Sequence, residues 1–89
     1  MNKFGAFIRK ERLNKNLGLR EFADMINLSP TFISKMEVGD YKPPKEENIV
    51  KMANILGGDK DYYLAMANKI SEKNKLKLIN EILGNNDRR

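Results

Sequence analysis

Eighty-nine residues without a cysteine or a histidine leave room for one small domain and remove disulfides, thiol nucleophiles and the usual zinc ligands together. Seventeen basic side chains against 12 acidic ones give a net charge of +5, a balance that favours a polyanionic partner and also suits an ordinary basic protein. No stretch approaches the roughly 20 apolar residues of a membrane span, and Met1-Asn2-Lys3-Phe4 does not lead into the apolar run of a signal peptide, so the expected location is the cytoplasm of a bacterium or the host of a phage. The charge is uneven. Residues 1–45 carry nine basic and five acidic side chains, residues 46–89 eight and seven, so the positive field sits in the first half.

A first helix is expected from about Lys3 to Asn14, with Phe4, Phe7 or Ile8, and Leu13 on or near one face and Arg9, Lys10, Glu11 and Lys15 elsewhere. Asn14-Lys15-Asn16 ends it. Leu17 opens the next unit, and Gly18 takes the N-cap position without a side-chain acceptor to offer. A second helix to Ile26 turns Phe22, Ala23 and Ile26 inward, Ala23 being small where two helices should cross closely. Asn27 tolerates a left-handed backbone, and Leu28 can drop back into the core. Ser29 then caps a third helix, with Pro30 in its first turn where a missing amide costs nothing. Ile33, Met36 and part of Phe32 should face inward, and Thr31, Ser34, Lys35 and Val38 outward. The helices at about Gly18–Ile26 and Pro30–Val38 are separated by Asn27-Leu28-Ser29, too short a break for antiparallel packing, so the chain must turn sharply between them. That is a helix-turn-helix signature. By periodicity alone it is equally a pair of packed helices in a small helical protein.

Gly39-Asp40-Tyr41-Lys42-Pro43-Pro44 is a turn-rich connection. A fourth helix from Lys45 or Glu46 to Leu56 offers Ile49, Met52, Ala53 and Leu56 to close the core, and Gly57-Gly58 stops it. A fifth helix, begun by Asp59 or Asp61 and running through Ile70, is more apolar than one buried face needs. A tyrosine or methionine left outside there is a candidate subunit contact. Ser71–Leu83 has the spacing of a sixth helix able to pack on the fifth or to exchange with a partner chain, and residues 84–89 should fray. The oligomerisation candidates are therefore Tyr62, Tyr63, Met66, Leu76, Ile79 and Leu83. The chain divides into a domain at 1–70 and a C-terminal helix and tail at 71–89.

Arg12, Leu17, Phe22-Ala23, Leu28-Ser29, Ile33-Ser34, Glu37-x-Gly39, Pro44 and the Ile49…Ala53…Leu56 helix together resemble the Cro/C1-type, or xenobiotic-response-element, helix-turn-helix family of bacterial and phage regulators. The resemblance runs from about Phe4 to Leu56. It implies an all-α, five-helix, lambda-repressor-like domain that binds double-stranded DNA, with a short sixth helix after it. By position it makes Arg12 and Glu37 an ion pair between the first helix and the end of the third. Pro30, Thr31, Phe32 and Lys35 fall where the family reads base edges. Lys35 suits guanine O6 or N7, and Thr31 can use its hydroxyl or its methyl. Phe32 is unusual there: facing outward its ring would pack on thymine methyls or a sugar edge, and facing inward it would anchor the core. Asn16, Gly18, Leu19, Ser34, Tyr41, Lys42 and Lys45 fall at phosphate-contacting positions. Leu19 stands where the family often has a glutamine, so that contact is expected to weaken or to pass to backbone amides at the helix N-terminus.

The reading that follows is a sequence-specific regulator, a repressor working as a homodimer on an inverted repeat, with activation equally compatible. The competing reading is an antitoxin-like or interaction module whose C-terminal helices grip a protein partner while DNA binding serves autoregulation. RNA binding fits less well, because the aromatic residues lie at core spacings and form no stacking platform. Catalysis fits least: Ser29, Ser34 and Ser71 have no histidine to act as base. No metal or cofactor is expected.

Overall fold

Phe4, Ile8, Phe22, Ala23, Ile33, Met36, Ile49, Met52 and Ala53 are wholly withdrawn from water, and the helices that carry them are short enough that only their mutual packing holds them. The computed structural model describes residues 3–67. They form α1 (Lys3–Asn14), α2 (Leu19–Ile26), α3 (Pro30–Glu37), α4 (Glu46–Leu56) and α5 (Lys60–Met66), with no strand among the described residues. This is the all-helical, lambda-repressor-like arrangement, with one core shared by all five helices.

In α1 the buried stripe is Phe4, Ile8 and Arg12, one residue every four, so Leu13 falls on the outer face and is 52% exposed. The expectation that placed Leu13 near the inner face is corrected by that register. Of the two candidates beside it, Ile8 enters the core and Phe7 lies half-buried, its ring edge-on to Tyr63 at 4.8 Å between centroids. Gly5 is also buried, and a methyl group there would overlap the Met36 carbonyl oxygen. The backbone of α1 therefore lies directly on the last turn of α3.

The ends of α2 and α3 are built as their residue types require. Glu21 reaches back to accept from the Gly18 amide at 3.3 Å, the half of a capping box that needs no side chain at the N-cap. Asn27 closes α2 in the left-handed region at φ 66°, and the next amide, that of Leu28, donates to the Ala23 carbonyl at 3.0 Å. Ser29 Oγ accepts from the Phe32 amide at 3.0 Å, with Pro30 in the first turn. After α3 the chain folds back on itself: the Asp40 amide donates to the Lys35 carbonyl at 2.9 Å, and the Tyr41 amide donates to the same oxygen at 3.3 Å.

Buried Pro44 leads into α4, whose first turn carries Glu46 and Glu47 against the positive end of the helix dipole. Gly57, at φ 75°, ends it. Of the two possible starts for α5, Asp59 is the N-cap, accepting from the Tyr62 amide at 2.9 Å. That register turns Tyr63 and Leu64 inward and leaves Tyr62 outside. Tyr63, at 2% exposure, is core and not an oligomerisation residue; adjacent helical positions point about 100° apart, and the helix had to choose. Met66 is half-buried against the core. The end of the expected fifth helix at Ile70, the sixth helix, and its candidates Leu76, Ile79 and Leu83 lie outside the described residues.

Candidate nucleic-acid interface

Arg12 holds the helix-turn-helix in position. Its Nε donates to Glu37 Oε2 at 2.8 Å and its Nη2 to Glu37 Oε1 at 3.0 Å, a two-pronged pair with both residues buried. The remaining nitrogen, Nη1, donates to the Leu17 carbonyl at 2.8 Å. One guanidinium thus ties α1 to the end of α3 and to the loop that leads into α2. The hydrogen bond and the charge of Glu37 hold the Arg12 pKa above its ordinary value, against the opposing effect of burial. The guanidinium therefore keeps its charge at any pH at which the domain is folded. The clamp thereby holds the last turn of α3 against α1 and against the loop that enters α2.

On that face Thr31, Ser34 and Lys35 are exposed and Pro30 is half-buried. Their hydroxyl and ammonium groups can donate to base edges or phosphates. Phe32 faces partly inward, as its place in the helix suggested: it packs on the core and stays half-open beside Tyr41, with centroids 5.7 Å apart and rings tilted by 46°. Lys35 Nζ lies 3.9 Å from Asp40 Oδ2, a loose pair with both side chains about half in water. A carboxylate beside the Lys35 ammonium had no signal in the sequence, because it depends on how the loop after α3 folds back.

The expected phosphate positions separate into three kinds. Lys42 and Lys45 are exposed, Lys45, the N-cap of α4, within 3.2 Å of Glu47 Oε1 in the first turn of that helix; Tyr41 is 43% exposed, and Ser34 is open. Asn16 is exposed too, but its φ of 58° shows a second reason for an asparagine there, the left-handed turn that ends α1. At Gly18 and Leu19 only backbone groups are left to meet a phosphate: the Gly18 amide already donates to Glu21 Oε1, and the Leu19 side chain packs half-buried on the core. Among the described residues no helix is long and apolar enough to cross a membrane, and no group of three or more potential metal ligands gathers.

The helix-turn-helix family model HTH_3 matches residues 8–63, which takes in the Arg12 clamp, both helices of the motif and the start of α5. The chain belongs to the Cro/C1-type helix-turn-helix family. With membership comes the coarse assignment of a DNA-binding transcriptional regulator. No curated protein sequence matches the chain. Among solved structures, two of the clp gene regulator ClgR from Corynebacterium glutamicum are similar to it. One is 30% identical with a TM-score of 0.62, the match covering 74% of this chain and 84% of that one. The other is 27% identical with a TM-score of 0.65, covering 94% and 85% respectively. The likeness therefore extends over most of both chains and is one of sequence as well as of fold.

Proposed function

We propose that the chain is a repressor that binds an inverted repeat as a homodimer in the cytoplasm, each copy laying the exposed edge of α3 in the major groove. The observation that carries this reading is the Arg12–Glu37–Leu17 clamp, which fixes a short helix so that Thr31, Ser34 and Lys35 stand together in water. A helix of eight residues reaches only a few base pairs. Useful selectivity at that length comes from two copies reading half-sites about one helical turn apart.

Thr31 and Lys35 read bases in this scheme, Lys35 donating to guanine and Thr31 meeting a neighbouring edge with its hydroxyl or methyl. Pro30 has no amide hydrogen to offer, so it shapes the contact without hydrogen bonding. Lys42, Lys45, Tyr41, Ser34 and Asn16 position the duplex through its phosphates. The test is selection of bound fragments from genomic DNA with the purified chain, followed by footprinting of the best site. A protected inverted repeat whose preference is lost in Thr31→Ala and Lys35→Ala is the expected result. Equal binding to all fragments, unchanged in both variants, would sink the reading.

A further inference from the structure

Phe32 is an aromatic ring left half-open on a face that otherwise carries Pro30, the hydroxyls of Thr31 and Ser34 and the Lys35 ammonium. It sits in the first turn of α3, directly after Thr31 and three residues before Lys35. Residues three apart share a helix face, so its ring lies along the same strip as the base-facing lysine. One side of the ring is held by the core, and the other faces Tyr41 at 5.7 Å. The main chain at Tyr41 is tied to α3, its amide donating to the Lys35 carbonyl at 3.3 Å, and the residue is 43% exposed. The two rings together form an apolar ledge, anchored on the core at Phe32.

We infer that this Phe32–Tyr41 ledge reads the C5-methyl group of thymine, making an A·T pair next to the Lys35 contact a specificity determinant of the operator. The inference rests on the regulator reading above. In the major groove thymine is the base whose edge carries a methyl, set beside the O4 acceptor. The ledge offers the complement of that edge, an apolar surface flanked by the donors of Thr31 and Lys35. A sugar edge would be served equally well by any base and would place no demand on the ring. Phe32 is already held against the core, so its side of the ledge loses little to ordering on contact.

The assignment moves the ring of Tyr41 from the phosphates to the base, while its hydroxyl stays open to a neighbouring phosphate. It also gives Phe32 a part that neither a core anchor nor an exposed aromatic would have. A core anchor would be indifferent to the chemistry of the base, and a freely exposed ring would contact any of them.

The experiment replaces each thymine of the selected operator in turn by deoxyuridine, which removes the methyl and leaves every hydrogen-bonding group in place, and measures affinity of the full chain for each duplex. The wild-type chain should lose about fourfold in affinity at one thymine position in each half-site, the order expected for one buried methyl group. In Phe32→Ala that penalty should vanish, thymine and uracil duplexes binding alike. Because Phe32 also touches the core, Tyr41→Ala is measured beside it, with the penalty expected to shrink and the helical circular dichroism to stay at the wild-type value. Deoxyuridine tolerated by the wild type at every position, or a penalty undiminished in both variants, overturns the inference while leaving the regulator reading intact. Absence of any selective DNA binding by the wild type overturns both.

Discussion

Arg12 distributes its donors over two elements that are 25 and five residues away in sequence, Glu37 and the Leu17 carbonyl. Such a pair is weak evidence for net stability, because both charges had to leave water, yet removing one partner strands the other. Arg12→Ala should lower the unfolding free energy by about 3 kcal/mol, read as a shift of the denaturant midpoint. Arg12→Lys should recover less than half of the loss, since an ammonium cannot make the two-pronged contact and still reach Leu17. Tyr63 gives a second test at this scale. Its hydroxyl is buried without a hydrogen-bond partner among the described residues, and burial, helped by the negative charge of Glu11, pushes its pKa up to about 12 from an ordinary value of 10. Below pH 10 both the folded and the unfolded chain hold the proton, and the group is indifferent to pH. Between pH 10 and 12 the unfolded chain has released it while the folded chain still keeps it, so unfolding sheds a proton and rising pH favours unfolding. Tyr63→Phe should remove that part of the alkaline loss and raise stability at neutral pH by about 1 kcal/mol, the cost of the orphan hydroxyl being gone. The ion pair was legible in the sequence because Arg12 and Glu37 stand at spacings that the family shares. The Leu17 carbonyl was not, since a backbone acceptor has no letter of its own, and neither was the choice of Tyr63 over Tyr62, which the position of the Asp59 cap decides.

At the scale of elements, caps and breaks were the readable part: Ser29 before Pro30, Asn27 in the left-handed turn and Gly57 closing α4 are each the residue that the local backbone demands. How closely two helices approach was not readable, because contact between distant segments leaves no periodic trace. Ala23 is wholly buried, as its place on the inward stripe suggested, but Gly5, which carried no such signal, also sits at a close approach, under the Met36 carbonyl. Gly5→Ala separates the two explanations of that glycine by sign. If helix propensity governed, alanine would stabilise α1 by about 1 kcal/mol. With the added methyl overlapping a backbone oxygen that cannot swing aside, the substitution should instead destabilise by about 2 kcal/mol, and thermal melting of the variant against wild type decides it. The same displacement would tilt the end of α3, so DNA affinity should fall together with the melting temperature. A loss of stability without a loss of affinity would mean that α1 supports the core but not the docking angle.

Across the whole molecule the excess of positive charge lies in residues 1–45, the half that holds the helix-turn-helix, and its effect is best read through salt. Each phosphate neutralised releases condensed counterions, so the logarithm of affinity falls with the logarithm of salt concentration with a slope of about −0.9 for every contact. Lys42 is exposed in the loop that leads from α3 towards α4 and takes part in none of the ion pairs found among the described residues, which makes Lys42→Ala a clean probe. A single copy on DNA would lose one contact and reduce the slope by about 0.9, whereas a symmetric dimer loses the same contact in both half-sites and should reduce it by about 1.8. We expect the larger change, with the order of preference among operator variants kept, because a phosphate contact carries no sequence information. A change near 0.9 would leave Lys42 as a phosphate contact and contradict the dimer. No change at all would remove Lys42 from the interface and place the field that draws the duplex on other lysines of the same half.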